Sequence, residues 1–134
     1  MIIIPLKITK RYLGKTWEQT NCMELIRRIY GDLGVVLPEE HKGVTTADIP
    51  LLLETKPKFA QALLVSACNL IGARIASDTL KRYDLVLIWQ AQTKTLFPGV
   101  YIGYDRIITS AIVGGVQIVQ FGSVNRPVAA WRVL

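Results

Sequence analysis

The chain has 134 residues and a formal net charge of +6, and hydrophobic residues make up 51% of it. That is enough for one domain with one core, and no apolar run approaches the roughly 20 residues needed to span a bilayer. The basic residues are scattered, with no aromatic-interleaved stripe and no zinc or helix-turn-helix signature, so the pattern does not point to nucleic acid as a partner and the charge reads as a solubilising or assembly surface.

Met1-Ile2-Ile3-Ile4-Pro5 is too short and too unflanked for a secretory signal, so it is expected to be a native N-terminus with no export encoded. Two cysteines, Cys22 and Cys68, do not make a disulfide framework, and a reduced state is expected. His41 is the lone histidine, which leaves little for a metal site; no metal and no cofactor is expected.

Asn21 to Leu33 reads as the clearest helix. Asn21 can cap it, Glu24 sits at capping-box distance, Leu25, Ile26, Ile29 and Leu33 share a face, and Gly34 ends it. Residues 39–48 are polar and read as a loop. Asp48 and Pro50 can start a short helix over Leu51-Leu52-Leu53. Thr55 is expected to cap a longer one, with Pro57 in its first turn, Phe59, Ala62, Leu63, Ser66, Ala67 and Leu70 on its apolar face, and Gly72 at its end. Cys68 reads as core.

The second half reads as strands. Leu85 to Trp89 is apolar on both sides and should be central. Gly99 to Gly103 and Arg106 to Ser110 follow, joined by a Tyr104-Asp105 turn. Val116, Ile118, Val119 and Phe121 follow the Gly114-Gly115 turn. Val128 to Val133 is expected to add an edge strand. Helices first and an antiparallel meander after them predict an α+β domain, residues 1–134, with N-terminal helices packed on the sheet.

Cys22 is the most informative residue. At the first position of a capped helix, unpaired N–H groups and the helix dipole favour a thiolate, which makes it a candidate nucleophile. A buried, inert cysteine is the equally weighted alternative.

Tyr12-Leu13-Gly14-Lys15-Thr16-Trp17, then Asn21-Cys22-Met23-Glu24-Leu25-Ile26, then Tyr30, Gly34 and Leu37-Pro38, resemble the nucleophile region of the NlpC-type peptidases. These are papain-like cysteine endopeptidases of bacterial cell walls. Tyr83-Asp84-Leu85-Val86-Leu87 resembles the family's Gly-Asp-Leu-Val strand, and Gly99-Val100-Tyr101-Ile102-Gly103 the strand after its catalytic histidine. The resemblance implies a papain-like NlpC-type fold, with Cys22 at the nucleophile position.

It also implies that the base position falls on Phe97 and the orienting position on Thr109. Phenylalanine cannot act as a general base, and threonine has then no base to orient. Asn21 stands where the family has aspartate. His41 is expected in a solvated loop, and Asp84 and Asp105 are poor substitutes for the base. Trp17, and with it Tyr12, are the candidates for a substrate groove; Trp89 reads as packing, and Arg126-Pro127-Val128 as a minor surface contact.

The expectation is therefore a pseudo-peptidase. It would be a structural component of a phage tail tip or baseplate, with other tail proteins as partners and peptidoglycan as a candidate ligand. It would reside in the bacterial host cytoplasm during assembly and then in the virion tail. The alternative is an active endopeptidase cleaving peptidoglycan stem peptides through Cys22. A cationic nucleic-acid accessory protein ranks last.

Overall fold

The computed structural model describes residues 10–134, the side chains of Thr46, Ile49, Pro50 and Leu53 excepted. The reading of Met1 to Pro5 lies outside the described residues.

Helix α1, Cys22–Asp32, begins as its sequence dictates. Asn21 is extended, and its side-chain oxygen accepts the Glu24 backbone N–H at 3.0 Å. The Glu24 carboxylate accepts from Arg28 one turn later, at 2.9 Å. Leu25, Ile26, Ile29 and Tyr30 are buried. Gly34, at φ 87, takes the left-handed position past the helix end. The Tyr30 hydroxyl donates to the Tyr83 carbonyl at 2.5 Å and fastens the helix to the start of a central strand.

Residues 39–48 form more than the expected loop. Strands β1 (Glu40–His41) and β2 (Val44–Thr45) pair over Lys42-Gly43, both at positive φ, as a type I′ hairpin requires. Two-residue strands carry no readable period. A 3₁₀ turn, Thr46–Asp48, then leads into α2 (Ile49–Thr55) and α3 (Pro57–Ile71).

Thr55 closes α2 instead of capping α3; its hydroxyl donates to the Leu51 carbonyl at 2.8 Å. The break falls on Lys56, because Pro57 disfavours helical backbone in the residue before it. In α3 the buried residues are Ala60, Leu63 and Cys68, while Phe59 and Leu70 are largely exposed. The helix is apolar around most of its girth, so its period does not pick a face.

Six strands form one antiparallel sheet in the order β3-β8-β4-β5-β6-β7. They are β3 (Ala73–Ile75), β4 (Leu85–Gln90), β5 (Thr95–Gly103), β6 (Arg106–Ala111), β7 (Gly115–Gln120) and β8 (Asn125–Arg132). The β5–β6 turn is Tyr104-Asp105, at φ 53 and 56. β5 starts four residues before the expected Gly99. The last strand is not an edge: β8 lies between β3 and β4, where Ala129, Ala130 and Trp131 are buried. The edge on that side is β3, which no sequence signal announced; the other edge is β7.

Helix α1 packs over β5 and β6. Leu25, Ile26 and Ile29 meet Leu85, Leu87, Val100 and Ile108 in the main core. The other sheet face buries Val86, Ile88 and Ile107, with Phe97, Tyr101 and Phe121 packed on them. Both faces of β4 are therefore covered, as its continuous apolar run requires.

Two further ties fix the sheet. The Asp84 carboxylate, 3% exposed, takes two hydrogen bonds from Arg132 (3.1 and 2.9 Å) and one from the Lys81 backbone N–H (2.7 Å). Along the outer side of β7, the Val116 N–H donates to the Lys15 carbonyl at 2.9 Å.

Candidate functional site

Cys22 opens α1 on the wall of a cleft of about 440 Å³. Trp17, Met23 and Leu64 line it from the helical side; Phe97, Pro98 and Thr109 line it from the sheet. The topology thus brings Cys22, Phe97, Thr109 and Trp17 to one hollow.

The thiol there is not poised to ionise. Burial pushes the Cys22 pKa up to about 12, although hydrogen bonding to its own and the Met23 backbone N–H lowers it. The expected thiolate stabilisation at a helix start is present and is outweighed, because withdrawing a thiolate from water costs more than two N–H groups return. Cys22 is only 6% exposed.

Phe97 lies on β5 opposite Ile88, and its ring packs against the second cluster while lining the cleft. Thr109 is 1% exposed, and its hydroxyl donates to the Pro98 carbonyl at 2.7 Å. Next to it, the Ser110 hydroxyl donates to the Thr20 carbonyl at 2.6 Å, tying the sheet to the turn that delivers Cys22. Sequence reasoning passed over Ser110. The strand period, which puts it on the same face as buried Ile108, was the available signal.

Trp17 sits in the cleft wall, nearly buried. Tyr12 does not join it. Its ring belongs to the main core, and its hydroxyl donates to Asp32 at 2.8 Å. Burial, then the Asp32 carboxylate, raise the Tyr12 pKa to about 12.

His41 is not a solvated loop residue. It is half-buried on β1, with Nε2 2.9 Å from the Ser66 hydroxyl. It lines a different cavity, of about 70 Å³, beside Ile26, Leu37 and Leu63. Asp84 is held by Arg132, and Asp105 sits in a left-handed turn. Trp131 is fully buried and donates to the Asn69 side chain at 2.9 Å.

Cys68 is buried in the main core, and burial lifts its thiol to about 12 as well. Among the described residues no group of three His, Cys, Asp or Glu side chains could hold a metal, and no helix is long and apolar enough to cross a membrane.

No protein-family model matches the sequence, and neither does any curated protein. Solved structures do match. The peptidoglycan hydrolase RipB from Mycobacterium tuberculosis superposes with a TM-score of 0.59 at 14% identity, over 99% of this chain and 64% of that one.

RipD from the same organism, described as a non-catalytic NlpC/p60 domain protein adapted to peptidoglycan binding, gives 0.58 at 14% identity, over 99% and 97%. An NlpC/p60 family protein from Bacillus cereus gives 0.60 at 17% identity, over all of this chain and 40% of that one. The chain therefore has the NlpC/p60 fold: an α+β domain whose first helices pack on an antiparallel sheet. It spans about two thirds of RipB and less than half of the Bacillus protein.

Proposed function

We propose that this protein is a catalytically silent NlpC/p60-type module, serving as a structural component of a phage tail tip or baseplate. One observation carries the silence. The cleft holds a desolvated thiol, an aromatic ring and a hydroxyl already bonded to a carbonyl, while the one imidazole of the chain is bonded to Ser66 at another cavity. Thiol attack on an amide needs a thiolate and a proton carrier for the leaving amine. At the positions that the family resemblance gives to the base and its orienter, Phe97 and Thr109 supply neither.

The fold is compatible with this loss, since RipD shares it and is itself described as non-catalytic. The tail assignment draws on family resemblance, because small NlpC-type proteins occur in tailed-phage tail modules. A peptidoglycan contact without cleavage is the ligand reading that the RipD likeness supports.

Purified cell-wall sacculi test the catalytic half. The expected result is no release of soluble muropeptides and slow iodoacetamide labelling of Cys22 near neutral pH, accelerated once the chain is unfolded. Release that vanishes in Cys22→Ala would establish the second reading, an active stem-peptide endopeptidase. That reading is favoured only by the open cleft in which the thiol lies. Phe97→His tests the mapping: a faster-labelling Cys22 places residue 97 at the base position, and an unchanged rate removes it from there. Mass spectrometry of purified tail particles tests the assembly role.

A further inference from the structure

Two guanidinium groups converge on Gly103, at the end of β5, and neither holds an acid. Arg82, just before β4, lays its Nη2 and Nε 3.5 and 3.9 Å from where a Cβ on Gly103 would stand. Arg106, which opens β6, donates from Nε to the Gly103 carbonyl at 3.4 Å, and its guanidinium lies 5.7 Å from the centre of the Tyr104 ring. Among the described residues the ion pairs go to Arg11, Arg27, Arg28 and Arg132. Asp84 is taken up by Arg132, and Asp105, next to Arg106 in the chain, pairs with neither arginine. Arg82 makes no hydrogen bond to any described residue, and its Nε is buried without a partner. A buried donor on a charged group is costly to leave unpaired, and two cations at one glycine repel.

We propose that Arg82 and Arg106 form an oxyanion site whose ligand is a phosphate group. Charge and geometry select it. Two cations without a counter-charge match a ligand of about two negative charges, which phosphate approaches near neutral pH. The sheet order β4-β5-β6 puts the two arginines on either side of Gly103, so their donors approach from two directions. A tetrahedral phosphate spreads its oxygens to meet both; a carboxylate has two oxygens in one plane and suits a single fork.

The turn that carries the site is fixed in advance. The Gln120 amide donates to the Tyr104 and Asp105 carbonyls at 3.3 and 3.1 Å, and the Asp105 N–H donates to the Tyr101 hydroxyl at 3.1 Å. Gly103, at φ 96, brings no side chain between the cations. The exposed Asp105 carboxylate is the opposing charge in the turn and weakens the hold on an anion. Gly103 lies about 20 Å along β5 from Phe97, so the proposal stands apart from the Cys22 cleft and from its silence.

Titration of the full chain with inorganic phosphate tests it, at constant ionic strength so that screening does not change. The amide signals of Gly103 and Tyr104 are followed by NMR, with chloride and acetate as controls. The expected result is a saturable shift specific to phosphate. Arg82→Gln and Arg106→Gln should each weaken it about tenfold or more. Asp105→Asn should tighten it, and this exposed turn position keeps the test decisive if an arginine variant fails to fold. Arg126→Gln, at an exposed residue of β8, should leave it unchanged. Displacement of phosphate by poly(glycerol phosphate) would identify the group as part of a polymer, and its failure to displace would leave the free ion as ligand. A shift that chloride or acetate reproduces, one that both arginine variants retain, or one that Asp105→Asn does not tighten overturns the proposal.

Discussion

The Thr109 hydroxyl donates to the Pro98 carbonyl at 2.7 Å, between neighbouring strands and on the wall of the Cys22 cleft. A side chain at the orienting position of a triad would keep its polar atom for the base; here it serves the sheet. Thr109→Val should therefore behave as a stability variant. It leaves a buried carbonyl without its partner and is expected to cost about 1–2 kcal/mol in urea denaturation, with Cys22 labelling unchanged. A faster-labelling thiol in that variant would return Thr109 to the chemistry.

Alkaline pH should unfold the protein through its thiols. Burial raises Cys22 and Cys68 from an ordinary value of 9.0 to about 12. Below pH 9 both are protonated, folded or unfolded, and the advantage of the folded state is whole. Between pH 9 and 12 only the unfolded chain releases these protons, so stability falls as pH rises, by about 1 kcal/mol per pH unit for each thiol. Denaturant midpoints measured across that range should decline, and Cys68→Ala should flatten the decline relative to its own value at pH 7. A profile flat to pH 12 would contradict the burial.

Gly115→Ala is expected to be severe. Its added methyl meets the Lys15 carbonyl, and its φ of 66 is one that a side chain resists. The loss should be about 3 kcal/mol, read as a lowered melting temperature. Because the Lys15 strap covers part of the β7 edge, light scattering should also reveal sheet-edge aggregation.

Asp84→Asn removes the charge from a nearly buried acceptor of three hydrogen bonds. A loss of about 2 kcal/mol is expected, because an amide offers one acceptor oxygen where the carboxylate's two serve three donors, and bonds to charged groups are the stronger ones. Arg132→Gln should be milder, because that side chain is partly in water and leaves Asp84 its backbone donor.

The sequence was most readable where one residue has one job. Asn21, the apolar stripe of α1, Gly34 and the central β4 run all did in the structure what their chemistry predicts. It was least readable where composition is uniform or pairing is distant. The helix α3 is too evenly apolar to declare its buried side, and β1 and β2 are too short for a period.

The placement of β8 depends on partners 35 to 59 residues away in the chain, which no local pattern encodes. In the cleft, the sequence motifs single out Cys22, Phe97 and Thr109, and all three line the hollow. Whether the thiol is acidic could not follow from the helix start alone, because burial set by the surrounding walls decides it.

The insertion of β8 between β3 and β4 has a consequence for synthesis. Until residue 132 has left the ribosome, β3 has no neighbour and β4 lacks one of its two, so a nascent chain carries raw, hydrogen-bond-hungry backbone next to apolar surface. Maturation is then an end-loaded event: a zipper whose middle tooth arrives last, and whose truncation should leave material for chaperones and proteases.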